Sequence, residues 1–243
     1  MEETEKIWFN GKLVNWHEAK IHVLTHSLHY GLGAFEGIRF YDTDGGAAVF
    51  RLKEHIERLF KSAERAFMKV PFSQREIIEA VKETIRVNNI HAGYIRPIIF
   101  YGYGKMGLNP EGAPVDVAIA VWPWGSYLGD EAVKVKTSSY IRLHPKTTHA
   151  DAKITGHYVN SIFASMEAKK AGYQEALLLD YQGNVAEGPG ENIFMVNNHK
   201  IYTPPLGNVL PGITRMSIIE LARDEAYQVE ERVLSLTELK NAD

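Results

Sequence analysis

The sequence of 243 residues predicts an α+β fold, in which short strands and amphipathic helices follow one another without a regular alternation. Two runs rich in Val, Ile and aromatic residues, 94–101 and 115–122, are typical of strands. Apolar residues at helical spacing, beginning with Leu52, Ile56 and Leu59, indicate a helix. Hydrophobic residues make up 45% of the chain and charged residues 23%, a balance typical of a globular protein with a buried core.

In the first half of the chain, each element has a local signal. Residues 7–14 predict a hairpin, because Asn10-Gly11 is a preferred hairpin turn. Ser73, followed three residues later by Glu76, forms a capping box and predicts the start of a second helix. The remaining predicted elements of this half are strands at 37–41 and 48–50, a helix from Leu52 to Met68, the second helix to about Asn88, and the strands 94–101 and 115–122.

The second half begins after the segment Trp122–Ser126, which we interpret as a linker. This interpretation divides the chain into a small N-terminal domain (1–122), an interdomain linker (123–130) and a larger C-terminal domain (131–243). The predicted elements of the last part are strands at 133–139, 175–180, 193–196 and 200–203, a helix at 154–171 that stops at Gly172, and a helix at 212–225.

Composition excludes several classes of function. A net charge of −3 argues against a general nucleic-acid or membrane-surface binder, since both need a basic excess. The chain has no cysteine, which excludes disulfides and thiolate catalysis and favours the reducing cytoplasm. No apolar run approaches the length of about 20 residues that a membrane helix needs, and the acidic start predicts no signal peptide.

Two motifs suggest functions that their surroundings do not support. The glycines of 102–107 match a dinucleotide-binding fingerprint, but the proline-containing stretch 108–114 cannot form the helix that this fingerprint requires. A nucleotide-dependent oxidoreductase is therefore disfavoured. The histidines His22, His26 and His29 have helical spacing but no second ligand cluster, so we predict no metal site.

Two charged residues stand where covalent cofactor chemistry could use them. Lys153 precedes a predicted helix, where the helix dipole would favour the neutral amine that a Schiff base needs. Taken alone it would be read as a solvated surface lysine. Glu187, in a Gly/Pro-rich stretch between strands, could keep a pyridine nitrogen protonated and so make the ring an electron sink.

Two further segments suit anionic groups. The turn at Pro211-Gly212 opens a helix whose exposed N–H groups could hold a phosphate, and Thr214 could add a hydroxyl. Arg39 and Arg96 lie on predicted strands among aromatic residues and could bind carboxylates, although both could equally form structural ion pairs.

These segments, in their order and spacing, resemble the branched-chain aminotransferases of the class IV pyridoxal-phosphate fold. The resemblance runs essentially end to end. It rests on the segments at 8–11, 29–31, 35–39, 50–51 with Arg58, 94–97, 123–125, 152–153, 187–192 and 210–215. It implies fold type IV, with a small N-terminal α/β domain, a larger pseudo-barrel domain and the cofactor, pyridoxal 5′-phosphate, held between them.

The resemblance also implies roles for individual residues. Lys153 would be the Schiff-base lysine and proton carrier, Glu187 the partner of the pyridine nitrogen, and Tyr158 a contact of the ring's phenolic oxygen. The phosphate would be held by Arg58, Gly212, Ile213 and Thr214. The substrate pocket would be lined by Tyr30, Phe35, Gly37, Arg39, Tyr94, Arg96, Met106, Leu108, Trp124 and Tyr127. A homodimer or homohexamer is implied, with Tyr30 reaching into the neighbouring subunit's site.

Two departures from the family pattern stand out. His157 occupies a position where the family usually has asparagine, and a residue that titrates near pH 7 could shift activity there. The chain also ends at Asp243, whereas the family continues for about fifty more residues, less than an ordinary domain. The resemblance therefore implies that the C-terminal part, including a phosphate-contacting loop, is missing.

The resemblance implies transamination of L-leucine, L-isoleucine and L-valine with 2-oxoglutarate, in branched-chain amino acid biosynthesis. The substrates would be small amino acids and 2-oxo acids, and neither nucleic acid nor membrane is an expected partner. Three alternatives remain open at this point: a D-amino acid aminotransferase or an aminodeoxychorismate lyase of the same fold, and an inactive truncated homologue.

Overall fold

The computed structural model describes residues 2–125, 129 and 131–243. It divides into two compact units, one formed by Met1–Gly129 with Ala152–Gly156 and the other by Asp130–Asp151 with His157–Asp243. The segment that carries Lys153 therefore packs with the first unit, although the chain on both sides of it belongs to the second. The predicted domain division at 122 and 131 stays a prediction, and part of the predicted linker lies outside the described residues.

The first unit is built on an antiparallel sheet. Its strands are β1 (Lys6–Phe9), β2 (Lys12–Asn15), β3 (Gly33–Phe35), β4 (Ile38–Tyr41), β5 (Ala48–Val49), β6 (Gly93–Tyr101) and β7 (Val115–Trp122), and its helices are α1 (His26–Tyr30), α2 (Leu52–Arg65) and α3 (Gln74–Val87). The strand order is β2-β1-β7-β6-β4-β5, and β3 pairs with β6. The predicted hairpin is confirmed, with Asn10 and Gly11 both at positive φ as its turn requires.

The apolar faces of α2 and α3 contribute to the core of this unit. Ile56 and Leu59 of α2 and Ile77 and Val81 of α3 are completely buried, and each such side chain stabilises the fold by about 1.5–3 kcal/mol. The capping box predicted from Ser73 is confirmed, because its side chain accepts a hydrogen bond from the Glu76 amide at the start of α3.

The central strand β6 separates the core from the predicted substrate residues. Its side chains alternate, so that Ile95 and Ile99 are buried in the core while Tyr94 and Arg96 lie on the other face. Arg39 of β4 stands directly opposite Tyr94 in the register, and it therefore shares that second face.

The second unit contains two small sheets in the part of it that is described. Its strands are β8 (Val135–Ile141), β9 (Glu175–Leu179), β10 (Val185–Glu187), β11 (Met195–Asn197), β12 (Lys200–Thr203) and β13 (Gln228–Glu231), and its helices are α4 (Tyr158–Lys170), α5 (Ile213–Asp224) and α6 (Leu236–Lys240). One sheet has the order β10-β9-β8 and the other β11-β12-β13. Leu178 and Leu234 are fully buried within this unit.

Most predicted helices and strands are confirmed with small shifts of their ends. The helix predicted to start at residue 154 is the main difference: Thr155–His157 form a single 3-10 turn, and α4 begins only at Tyr158. The elements β3, β10, β13, α1 and α6 were not predicted. Within the described ranges, every helix is too short or too polar to cross a membrane.

Candidate active site

Lys153 lies in an extended segment and not at a helix terminus. Its carbonyl oxygen accepts a 3.1 Å hydrogen bond from the amide of Phe35, and the next residue, Ile154, forms a bridge with Ala34 of β3. The prediction that the dipole of a helix acts on Lys153 is therefore wrong, because backbone pairing with β3 and the turn at 155–157 separate the lysine from α4.

The backbone and side chain of Lys153 are both positioned within the first unit. Its amide N–H donates a 3.0 Å hydrogen bond to Oγ of Ser62, a buried residue of α2. Its Nζ lies 5.0 Å from the centroid of the Phe35 ring, within the range of cation–π contact. The structure thus brings together the predicted catalytic lysine and one predicted substrate residue.

Arg58 belongs to a buried charged cluster. Its Nε and Nη2 donate to the two carboxylate oxygens of Glu36 at 2.7 and 2.8 Å, and His55 Nδ1 lies 2.7 Å from Glu36 Oε2. Burial by itself would raise the pKa of the Glu36 carboxyl, but the hydrogen bonds and charges of Arg58 and His55 outweigh it and lower that pKa to about 2. Glu36 is thus an ionised carboxylate in the interior.

Predicted substrate residues surround the guanidinium of Arg96. Its Cζ lies 4.9 Å from the Phe35 ring centroid and 5.3 Å from that of Tyr94, and Nη2 donates to the Tyr94 hydroxyl at 3.2 Å. Its Nε is buried and has no hydrogen-bond partner among the described residues. Gly37 leaves room for this arrangement, because a Cβ there would lie 1.8 Å from the Tyr94 hydroxyl oxygen.

Trp124 and Arg39 extend the same surface. The rings of Tyr94 and Trp124 are in edge-to-face contact with centroids 4.6 Å apart. Nη1 of Arg39 donates to the carbonyl oxygens of Trp124 and Gly125 at 3.1 and 2.7 Å. The predicted substrate residue Tyr127 lies outside the described residues.

The glycine-containing loop that joins β6 to β7 carries Met106 and Leu108, and Tyr30 of α1 lies beside it. The Gly107 amide donates to the Tyr30 hydroxyl at 3.2 Å, and His26 Nε2 is 2.9 Å from the Gly107 carbonyl oxygen. Met106 and Leu108 are both exposed. Residues 102–114 contain no helix, which is the feature that a dinucleotide fingerprint would need.

In the second unit, Glu187 is the last residue of β10 and is buried. Its carboxylate accepts hydrogen bonds from Nε of Arg142, from Nδ2 of Asn192 at 2.9 Å and from the amide of Leu210 at 3.0 Å. Hydrogen bonds from several directions restrict the rotation of the carboxyl group, and the bond from the arginine is charge-assisted.

The predicted phosphate residues Gly212, Ile213 and Thr214 form the start of α5. Gly212 is the N-cap and provides no side-chain cap for the first-turn N–H groups. A Cβ at Gly212 would lie 1.9 Å from Asn192 Oδ1, so this position admits only glycine without rearrangement. Asn192 therefore contacts both the predicted ring-nitrogen residue and the predicted phosphate segment.

Tyr158, predicted to contact the cofactor's phenolic oxygen, is the first residue of α4. The preceding residue, His157, has its Nε2 2.5 Å from Oγ1 of Thr148. The unusual histidine thus ties the start of α4 to the loop that precedes Lys153.

Sequence reasoning missed several residues that support the site. Arg142, Ser62 and His55 carry no local motif, and they reach Glu187, Lys153 and Glu36 only through the fold. Glu36 lies inside the motif at 35–39, where an acid next to Gly37 could have been recognised as a buried polar residue. Asn192, which is half-buried, is the last residue of the motif at 187–192.

The family model described as amino-transferase class IV matches residues 33–243. This chain belongs to that family. It is 47% identical over 241 residues to the branched-chain-amino-acid aminotransferase of Pseudomonas aeruginosa, covering 98% of this chain and 78% of the relative. The enzyme of that name from Escherichia coli K12 is 46% identical over 248 residues, covering 100% of this chain and 80% of the relative.

Solved structures agree with the sequence comparison. The Escherichia coli branched-chain amino acid aminotransferase superposes with a TM-score of 0.96 at 46% identity, over 99% of this chain and 81% of that one. The branched-chain amino acid aminotransferase of Thermobaculum terrenum, solved in its PLP-containing holo-form, gives a TM-score of 0.93 at 33% identity, over 100% and 81%. The predicted resemblance and the α+β fold of type IV are confirmed, and this family member is an aminotransferase.

Proposed function

We propose that the chain catalyses pyridoxal-phosphate-dependent transfer of the amino group of L-leucine, L-isoleucine or L-valine to 2-oxoglutarate, giving branched 2-oxo acids and L-glutamate. The observation that carries the proposal is the placement of Lys153. Its peptide group is fixed by Ser62 and Phe35, and its amine lies against an aromatic ring. The branched-chain aminotransferases that match most of the chain support the substrate class.

The donor sets of the second unit fit the chemistry of the proposed cofactor. When bound, pyridoxal phosphate supplies an aldehyde that condenses with amines and a ring that withdraws electrons. Glu187 would accept a hydrogen bond from the protonated ring nitrogen. Arg142 and Asn192 would keep the Glu187 carboxylate oriented for that contact. Tyr158 would contact the phenolic oxygen.

The phosphate group would be held by two groups of donors. The first-turn N–H groups of α5, to which the N-cap residue Gly212 offers no side-chain acceptor, would donate to its oxygens together with the hydroxyl of Thr214. Arg58, whose guanidinium is oriented by Glu36, would neutralise part of its charge.

Lys153 Nζ would carry the proton in the reaction. It would accept the proton that leaves the α-carbon of the amino acid. In the next step it would donate this proton to a second carbon atom. The aromatic side chain of Phe35 beside Nζ lowers the local polarity and so helps to exclude water from this transfer.

The substrate pocket must accept both an apolar side chain and a carboxylate. Phe35 and Tyr94, with Trp124 and Gly37, would provide walls for leucine, isoleucine and valine. Arg96 would bind the side-chain carboxylate of glutamate, because its buried Nε is a donor without a partner among the described residues. Arg39, Tyr127, Met106 and Leu108 would complete the pocket.

We also propose that the protein forms a homodimer or homohexamer and acts in the cytoplasm. The exposed side chains of Tyr30, Met106 and Leu108 support the first point, since exposed apolar groups next to one another are typical of interfaces. The absence of cysteine supports the second.

Borohydride reduction of the protein loaded with pyridoxal phosphate tests the proposal. We expect the cofactor to become permanently attached to the peptide that contains Lys153. The Lys153→Ala variant should lose attachment and turnover, and Lys200→Ala, a change of an exposed lysine of the second unit, should keep both.

A substrate panel of L-leucine, D-alanine and aminodeoxychorismate then separates the proposed activity from those of other enzymes of this fold. We expect the addition of L-leucine to change the visible absorption spectrum of the loaded protein. Faster conversion of D-alanine or aminodeoxychorismate would contradict the substrate class, and attachment at another lysine would contradict the site.

A further inference from the structure

A buried carboxylate in the first unit takes no direct part in the proposed reaction. Glu36 lies between β3 and β4, and its side chain is completely inaccessible to solvent. It is held in place by its own backbone, because its amide donates to the carbonyl oxygen of Pro97 at 3.0 Å. An ionised side chain at such a position is costly unless it is paired, so its partners define what it does.

We propose that Glu36 is a positioning residue, which with His55 fixes the guanidinium of Arg58 in the orientation that binds a phosphate monoester. This inference rests on the proposed function, in which Arg58 holds the cofactor's phosphate. Glu36 itself touches neither substrate nor cofactor in this arrangement and acts only through Arg58.

The hydrogen bonds define the plane of the guanidinium. Nε of Arg58 donates to Oε1 of Glu36 and Nη2 donates to Oε2, so that one edge of the planar group is matched to both carboxylate oxygens. An arginine side chain with several free torsions has large rotamer entropy, and fixing it before the ligand arrives removes that cost from binding.

His55 fixes the carboxylate in turn. It stands three residues before Arg58, so both project from the same face of α2. Its Nδ1 lies 2.7 Å from Oε2, the oxygen that also accepts from Nη2 of Arg58. The Glu36 carboxylate therefore has donors on both oxygens, and its own rotation is restricted.

A purely electrostatic role for Glu36 gives the opposite expectation from a positioning role. The negative charge of Glu36 offsets the positive charge of Arg58 at 2.7 Å, so removing it would strengthen the attraction of Arg58 for any anion. If orientation dominates, removing the carboxylate charge weakens phosphate binding, because the guanidinium is no longer held in one plane. The sign of the change in phosphate preference therefore separates the two roles.

The test measures how strongly the apoprotein prefers pyridoxal 5′-phosphate to pyridoxal, which lacks the phosphate. Dissociation constants for both aldehydes are determined spectroscopically for wild type, Glu36→Gln, Arg58→Ala and the double variant. We expect Glu36→Gln to reduce the preference about tenfold, the lower end of the effect of removing a group that orients a ligating side chain. The double variant should match Arg58→Ala, because Glu36 has nothing to position once Arg58 is gone.

A general loss of structure would weaken the binding of both aldehydes equally. The ratio of their dissociation constants would then stay unchanged. Glu64→Gln, a substitution of an exposed residue on the same helix, serves as the matched control. Glu36→Asp should recover part of the preference for the phosphorylated aldehyde. Should Glu36→Gln fail to fold, His55→Ala tests the same point, with an expected loss of preference of about threefold by removal of one hydrogen bond to the carboxylate.

An unchanged or increased preference in Glu36→Gln, or a further loss when it is added to Arg58→Ala, overturns the inference. Failure of the proposed function gives different results. In that case the wild type would not attach the cofactor at Lys153, or Arg58→Ala alone would leave the phosphate preference intact.

Discussion

The backbone amide of Lys153 donates a hydrogen bond of 3.0 Å to the hydroxyl oxygen of Ser62. Ser62 lies on α2, one helical turn after Arg58. The same helix thus carries the residue that fixes the lysine's peptide group and the residue proposed to hold the phosphate. Removing the hydroxyl removes this hydrogen bond to the Lys153 amide.

We expect Ser62→Ala to lower the free energy of unfolding by about 1 kcal/mol, the typical net contribution of one hydrogen bond within a protein. It should also slow turnover more than it weakens substrate binding, because the lysine backbone shifts. Denaturant unfolding and steady-state kinetics measure the two effects. A Ser62→Ala protein with unaltered kcat would contradict the positioning of Lys153 by this serine.

Gly212→Ala should weaken cofactor binding at least tenfold, a threshold that corresponds to about 1.4 kcal/mol. The added Cβ would lie 1.9 Å from Asn192 Oδ1, and Asn192 also donates to Glu187. Gly190→Ala is the matched control, because a Cβ there meets nothing within 4 Å. Titration of both apoproteins with pyridoxal phosphate measures the difference, and equal affinities would show that Gly212 is not constrained.

Gly37→Ala should impair the use of L-glutamate more than that of L-leucine. Its Cβ would displace the Tyr94 hydroxyl, which accepts a hydrogen bond from Arg96. We expect the KM for glutamate to rise about tenfold, since disturbing a charge-assisted contact costs about 1.5 kcal/mol or more. Gly45→Ala, with only Thr43 Oγ1 near its Cβ at 3.8 Å, should leave both KM values unchanged. Equal changes for the two amino acids would count against a glutamate-specific role of Arg96.

The contribution of Glu36 to stability should depend on pH. Its pKa is lowered in the folded protein from the ordinary value of 4.5 to about 2, so ionisation stabilises the folded state by about 3 kcal/mol above pH 4.5. This contribution is lost as the pH falls from about 4.5 towards 2. The difference in unfolding free energy between wild type and Glu36→Gln should therefore be constant near neutral pH and shrink in that window. A difference that does not vary with pH would contradict the ionised pair.

The sequence predicted those turns and helix starts that depend only on neighbouring residues. The Asn10-Gly11 turn and the Ser73 capping box needed no tertiary information, and both are present in the structure. The short strand β3 and the polar strand β13 were not predicted, because each depends on pairing with a distant strand, β6 and β12 respectively.

The site shows the same division. The motifs around Lys153, Glu187 and Gly212 were recognisable from sequence, but the groups that orient these residues were not. Arg142 and Glu187 are 45 residues apart in the chain. The helical pattern after Lys153 predicted a helix start one residue later, whereas pairing of Ile154 with Ala34 keeps the segment extended. Tertiary contacts overrode local propensity at this position.

The pairing of residues 152–156 with the first unit has a consequence for the order of folding. Lys153 meets Ser62 across 91 residues, and Thr155 meets Gly31 across 124 residues. Closing loops of this size costs chain entropy before any contact is gained, so such contacts form late in folding. A refolding chain should therefore complete the β6–β7 ladder first and become able to capture an aldehyde only in its last, slowest phase.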